Sequence, residues 1–277
     1  MVLSWSFDIR HRGPDSDEAD LAETFHEATK LQYNVADNPS DKSFDSHDLF
    51  LMSRGFRQLS VSEKTNLGNG ELPDISLSDV LLKRRSRRDF AGALQLLELD
   101  AVLSRALGVT AIAHNEQTET NQVLRAFPSS GGLSCLDTYA VCSRVDGVSS
   151  GIYHYNPVAS RIEKLPNANA EDAISGAYFN IDYVANAACV IVFVANLDRL
   201  SPKYGETRSY RLALLDAGHA AQNVLLCAEA LGLNSAPVQA FADDALAKAV
   251  GADSVREIVV HSILLGRSTL HVREAGQ

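Results

Sequence analysis

The stretch Lys83-Arg84-Arg85-Ser86-Arg87-Arg88-Asp89-Phe90 sets five basic side chains among six consecutive residues, in a 277-residue chain whose formal net charge is -10. Guanidinium forks around a serine hydroxyl suit a phosphate, because a hydrogen bond to an ionised partner is about twice as strong as a neutral one. Composition alone leaves a solvated charged turn equally open. A second stretch follows, Arg125-Ala126-Phe127-Pro128-Ser129-Ser130-Gly131-Gly132-Leu133, just ahead of a segment of strand composition. Two successive glycines after proline and serine let the main chain approach a flat ligand and offer it N–H groups. Taken singly, such a turn is usually only a turn.

Outward from these stretches, regular structure is legible from about residue 76 onward. Residues 95–107 carry leucines and alanines at helical spacing and stop at Gly108, and Ser78 or Asp79 is a candidate N-cap for an earlier helix. Residues 137–143 have strand composition; 151–155 and 161–165 flank Asn-Pro-Val-Ala-Ser as a hairpin; 189–195 (CVIVFVA) read as a central strand and 257–265 as another. Residues 211–233 predict the longest helix, apolar nearly all round and so buried, in part against a second subunit. Interleaved helices and strands place the chain in the α+β class, with α/β-type layers. Residues 1–75 are polar and irregular with one helix expected over 21–31, which divides the chain into that segment and a main domain over 76–277. The N-terminal segment reads either as a docking surface or as a structural cover.

Composition is ordinary for a globular protein, 45% hydrophobic and 22% charged. The acidic balance argues against a nucleic-acid or anionic-membrane binder. Four cysteines without a CxxC pair argue against a zinc site or disulfide framework and for a reducing cytoplasm. The first residues lack the apolar core of a signal peptide, and the most apolar run, 187–195, is about half the length of a membrane helix. No GxGxxG follows a strand, which argues against a Rossmann dehydrogenase.

Together, RRSRRDF (84–90) and PSSGGL (128–133) resemble the flavin-binding pattern of the nitroreductase superfamily. FHEATKL (25–31), the double-glycine form of the turn, GIYHYNP (151–157) and DAGHAAQNVLLCAEALGL (216–233) are similar to one branch, the SagB/ThcOx-type dehydrogenases of thiazole/oxazole-modified peptide biosynthesis. The resemblance runs from about residue 20 to Arg267. It implies a nitroreductase-like fold, with a mixed central sheet flanked by helices, in an intertwined homodimer with FMN at the interface. It implies FMN-phosphate contacts from Arg84, Arg85, Ser86, Arg88 and Arg267, and ring and ribityl contacts from Pro128, Ser129, Ser130, Gly131 and Gly132. The implied partners are cyclodehydratase proteins of a synthetase complex and a modified precursor peptide. Oxygen is the implied reoxidant. Where relatives carry an aromatic or His, then Pro and an acid, this turn continues Leu133-Ser134-Cys135-Leu136-Asp137.

Between the central strand and the long helix lies SPKYGETRSYR (201–211), read as a loop. Its Lys203 and Tyr204 resemble the catalytic pair of peptide azoline dehydrogenases, although composition alone describes an exposed loop pair. Aromatising an azoline takes a proton from the carbon beside a carbonyl, and an adjacent ammonium favours a phenolate that can accept it. Tyr210 and Arg211 position substrate or pack the helix start. Asp216, His219 and Asn223 share a helix face, which reads as a buried, hydrogen-bonded histidine, not a metal site. His154 and His261 read as structural. Cys135 lies close to the turn but lacks an obvious base. The expected function is oxidation of peptide thiazolines or oxazolines to azoles. The alternatives are an NAD(P)H-dependent reductase of a small molecule and a flavin-retaining scaffold subunit.

Overall fold

A run of eight residues, Cys189-Val-Ile-Val-Phe-Val-Ala-Asn196, organises the fold, and nearly all of it is buried. Such a run, with no polar alternation, is expected where both faces of a strand are covered. The computed structural model describes residues 18–30, 43–53, 55–60, 63–116, 120–179 and 182–268. The chain divides into two units, Met1–Lys42 and Ser43–Gln277. In the first, α1 (Glu18–Ala28) is the helix expected over 21–31, and Leu31 lies outside the described residues.

The second unit runs α2 (Ser46–Ser53), β1 (Lys64–Asn66), α3 (Leu77–Lys83), β2 (Leu94–Gln95), α4 (Leu96–Leu107), β3 (Val109–Asn115), β4 (Thr120–Arg125) and β5 (Leu136–Cys142). It continues β6 (Val145–Asp146), β7 (Gly151–Asn156), β8 (Arg161–Lys164), α5 (Ala170–Ala177), α6 (Asp182–Ala185), β9 (Cys189–Asn196) and α7 (Ser201–Tyr204). The last elements are α8 (Glu206–Ala230), β10 (Asn234–Val238), α9 (Asp243–Val250) and β11 (Glu257–Gly266). Seven strands form one sheet in the order β1-β8-β7-β5-β9-β11-β10, with antiparallel neighbours throughout. A parallel pair, β2 with β6, and an antiparallel pair, β3 with β4, form separate small sheets.

Successive residues of β9 point into two different cores. Cys189, Ile191, Phe193 and Ala195 join α4 and α8 through Leu99, Leu103, Ala217 and Val224. Val190, Val192 and Val194 join α5 and α9 through Ile174, Ala177, Leu246 and Val250. Each fully buried aliphatic side chain of this kind contributes about 1.5–3 kcal/mol, so β9 with its two layers dominates the stability. The architecture is α+β, a central sheet flanked by helices. Among the described residues, no helix is long and apolar enough to cross a membrane.

Several boundaries differ from the sequence reading. Polar residues 64–66 pair with β8, and the buried Asp100 carboxylate accepts the N–H groups of Gly68, Asn69 and Gly70, each at 2.8 Å. The backbone of this stretch is thus held by a buried acid while its polar side chains face solvent. The cap of α3 is Ser76, whose hydroxyl accepts from Asp79 N at 3.1 Å. Helix α8 begins at Glu206, so Tyr210 and Arg211 are helical. Nor is α8 enclosed all round, since Leu214, Leu215 and Tyr210 are exposed.

Candidate active site

The Pro128–Gly132 turn is fastened to α8 by three residues on one helix face. Asp216 accepts from the Ser130 backbone N–H at 3.0 Å and from its hydroxyl at 2.9 Å. His219 Nδ1 lies 3.3 Å from the Pro128 carbonyl, and Asn223 donates to the carbonyls of Ala126 (3.1 Å) and Ala106 (3.3 Å). The spacing i, i+3, i+7 therefore follows the loop from Ser130 back to Ala126. His219 is exposed, correcting its expected burial, because its ring reaches along the surface to the loop. On the other flank Arg125 is buried and donates to the last carbonyl of α4, Leu107, at 2.6 Å, the preferred place for a cation at a helix end.

Within the turn, Gly131 and Gly132 have φ of 62° and 73°. A β-carbon on Gly131 would stand 2.5 Å from the Tyr204 phenol oxygen and 3.1 Å from Lys203 Nζ. The two proposed catalytic side chains therefore bear directly on the first glycine. They do so from a short helical turn and not from the expected loop: α7 carries Pro202 in its first turn and ends at Gly205, φ 78°.

The electrostatics also differ from expectation. Burial first, and then the Asp216 carboxylate, raise the half-buried Tyr204 phenol above its ordinary value, opposite to the lowering expected from Lys203. The spatial neighbour outweighs the chain neighbour. Burial raises Asp216 as well, against the opposing hydrogen bonds from Ser130 and Cys135. The buried Cys135 thiol, 3.6 Å from Asp216, is held well above its usual range by burial, consistent with a poor nucleophile.

The arginine stretch is built differently. Its backbone is pinned by Arg87 N to the Ser235 carbonyl (3.0 Å) and by the Asn234 side chain to the Asp89 carbonyl (2.6 Å), while Phe90 is buried against Gly266. Arg84 is half-buried, and Arg85, Ser86 and Arg88 are exposed. Arg85 turns back onto the carbonyls of Leu82 (2.9 Å) and Arg84 (2.8 Å), and the Arg88 guanidinium lies over the Tyr183 ring, 5.6 Å from its centre. Arg87, not assigned a role from sequence, pairs with Glu229 at 2.6 Å. Arg267 joins this group: its carbonyl accepts from Ala91 and Gly92, and its guanidinium pairs with Glu98.

The candidate residues thus fall into two sets at different levels of α8. Pro128, Ser129, Ser130, Gly131, Gly132, Lys203 and Tyr204 gather near Asp216, whereas the Arg84–Arg88 stretch is tethered through Arg87 to Glu229, with Arg267 bonded to the residues that follow it. The two anchors are thirteen residues apart on one helix, about 20 Å at a rise of about 1.5 Å per residue. The anchors of the two sets are therefore distinct.

The profile of the Nitroreductase family matches residues 81–267, two-thirds of the chain and both candidate sets. A protein of Methanocaldococcus jannaschii named for the nitroreductases is 34% identical over 178 residues, covering 63% of this chain and 85% of that one. The microcin B17-processing protein of Escherichia coli is 24% identical over 143 residues, covering 49% of this chain, and the match spans only about half (51%) of that protein. Among solved structures, the E. coli microcin synthetase complex with truncated pro-MccB17 bound contains a chain that superposes with a TM-score of 0.57 at 19% identity, over 91% of this chain and 93% of that one. The chain belongs to the nitroreductase family, and with it to the oxidoreductases.

Proposed function

We propose that this protein is an FMN-dependent dehydrogenase that oxidises peptide thiazolines or oxazolines to thiazoles or oxazoles, acting as a homodimer. The observation that carries the reading is the contact of Lys203 and Tyr204 with Gly131. A Lys–Tyr pair beside a double-glycine turn suits a flat substrate stacked on a flat cofactor. The donor set fits FMN: Arg84, Arg85, Ser86, Arg88 and Arg267 supply the cationic and hydroxyl donors that a phosphate takes, and the Gly131–Gly132 backbone, with Lys203, Tyr204 and Gln122 packed against it, would face the ring. When bound, FMN supplies the two-electron acceptor.

The protein's own residues manage orientation and the proton. Aromatising an azoline releases one proton from the ring carbon beside the carbonyl, and the second hydrogen leaves the neighbouring carbon with its electron pair. Tyr204 would accept the proton only as the phenolate, a form that burial and the Asp216 carboxylate oppose in the substrate-free protein, and Lys203 would hold the substrate and the phenol in register. The turn, held by Asp216, His219 and Asn223, fixes the plane on which this happens.

Two features favour a site shared by two copies. The anchors of the two sets stand about 20 Å apart along α8, a span that the arginines of a second copy would help to bridge. Leu77, Leu81 and Leu82 on α3 and Tyr210, Leu214 and Leu215 on the neighbouring α8 also expose apolar surface that a second copy would cover. The names of the microcin relatives support a peptide substrate and synthetase partners, which here are cyclodehydratase proteins and a precursor peptide. The acidic N-terminal segment would dock such a partner or cover the dimer. The M. jannaschii relative favours a second reading, an NAD(P)H-dependent reductase acting on a small molecule.

The test uses purified protein, analysed for FMN released on denaturation and then incubated aerobically with a thiazoline peptide. The expected product is lighter by two hydrogens, and Lys203→Ala or Tyr204→Phe abolishes it while FMN remains bound. Bleaching of the flavin by NAD(P)H with no mass loss from the peptide would instead select the second reading.

A further inference from the structure

The two helices that carry the site meet at one glycine. Gly205 closes α7 by donating its N–H to the Ser201 carbonyl at 2.8 Å. It also opens α8, its carbonyl accepting from the Ser209 N–H at 3.1 Å and hydroxyl at 2.7 Å. Its φ of 78° and ψ of 160° belong to neither helix, and a β-carbon there would meet nothing within 4 Å. The backbone at this joint is permissive, and no side chain of its own packs to fix it. Yet the angle there matters. Lys203 and Tyr204 lie just before the joint, whereas Asp216, which fastens the turn, lies after it. A helix of four residues is too short to hold its direction alone.

Arg256, in the bend before β11, crosses the joint from outside. Its Nε donates to the Asp198 carboxylate at 2.6 Å and its Nη2 to the Ser201 hydroxyl at 3.3 Å, both ahead of Gly205. Its Nη1 donates to the Glu206 carboxylate, immediately beyond Gly205. The bend is itself fastened. The Asp253 carboxylate accepts the N–H groups of Val255 (2.8 Å), Arg256 (2.7 Å) and Glu257 (2.9 Å), and the Arg256 carbonyl accepts from Leu197 at 2.9 Å. A planar guanidinium holds several partners in fixed directions, which suits a brace better than a point charge does. Its contribution to overall stability is modest, since the Arg256 side chain is 33% exposed and that of Glu206 65%.

Resting on the reading that Lys203 and Tyr204 handle the substrate proton, we propose that Arg256 is a positioning residue that braces the Gly205 joint and so sets where the Lys–Tyr pair stands against the turn. It acts at one remove, through Asp198 and Ser201 on one side of the joint and Glu206 on the other. The pair and the turn hang from two helices, and their separation is only as well defined as the angle between those helices. A displacement of about 1 Å in a reacting group can cost about a hundredfold in rate. A brace of small energetic weight therefore has a large effect on chemistry.

The test compares the full-length protein with Arg256→Ala in two measurements. In hydrogen exchange read by mass spectrometry, fragments covering residues 200–206 are expected to exchange about tenfold faster in the variant, while those covering 126–133 and 216–225 keep their wild-type rates. With a thiazoline peptide, kcat is expected to fall at least about tenfold with KM within about twofold of wild type, the mark of lost transition-state geometry and not of lost binding. Unchanged exchange at 200–206 overturns the proposal, as does an equal rise in all three regions, which would mean general loosening. Faster local exchange with an unchanged kcat overturns it too. Should Arg256→Ala fail to fold, Glu206→Gln cuts only the arm beyond the joint, and the same local exchange is expected there; its absence is equally fatal. If the wild-type protein oxidises no azoline, the dehydrogenase reading fails, and the exchange measurement by itself still decides whether Arg256 braces the joint.

Discussion

The two levels of α8 carry two differently built halves of one site. Near Asp216 the contacts are short-range and partly buried: a turn with two positive-φ glycines, a carboxylate under it, and a Lys–Tyr pair against it. Beside Glu229 they are made by long guanidinium side chains that rest on an aromatic ring, on their own carbonyls or on nearby acids. Leaving a buried donor unpaired costs about 1–3 kcal/mol, whereas an exposed ion pair contributes only about 0–1 kcal/mol. The first half is therefore fixed before any ligand arrives. The second is free to exchange its present partners for a phosphate at little cost. Geometry that must be accurate for chemistry is placed in the rigid half, and charge attraction, which tolerates looseness, in the soft one.

The largest effect that would break this contrast is expected in the rigid half. Gly131→Ala forces a left-handed non-glycine residue, worth about 1–2 kcal/mol, and drives a methyl group into the Tyr204 phenol oxygen. Unfolding in urea should show a loss of at least that size, together with poorer FMN retention. Unchanged stability would mean that the turn is not held as described. In the soft half, Arg84→Ala and Arg88→Ala should alter folding stability by no more than about 0.5 kcal/mol. Each should nonetheless weaken FMN binding about tenfold, equivalent to about 1.4 kcal/mol, more so at low ionic strength. Flavin-fluorescence titration at two salt concentrations checks both statements, and a stability loss matching that of Gly131→Ala would erase the distinction. The smallest effect is expected for Glu229→Gln, which releases Arg87 from its acid. That pair is partly buried, with Glu229 11% exposed, and should contribute about 1 kcal/mol; a thermal midpoint lowered by many degrees would show that the arginine stretch is structural after all.

Much of this arrangement was legible in the residues. The apolar run CVIVFVA could only be a covered strand, and Gln95 to Gly108 announced α4 by spacing and by its stop. Strand β10 was not legible: Asn-Ser-Ala-Pro-Val has weak strand composition, and Pro237 is tolerated because β10 is the edge of the sheet. The β3/β4 hairpin mixes polar and apolar residues without a clean period and was missed for that reason. At the site, sequence spacing showed that Asp216, His219 and Asn223 share a face, but not that the face meets residues 126–130. Tyr204 teaches the same lesson. Its neighbour along the chain is a cation, and its shift is set by burial and by an anion twelve residues further on.

One consequence follows from the alternation of β9. Its odd-numbered residues, Ile191 and Phe193 among them, press on the layer that contains α8, and its even-numbered valines press on the layer of α5 and α9. Parity therefore divides the hazards of change along this strand. An altered odd position disturbs the scaffold from which the chemistry hangs, while an altered even one weakens the molecule from behind and leaves the working face in register. Drift can accumulate on the even side long before it is felt as lost catalysis.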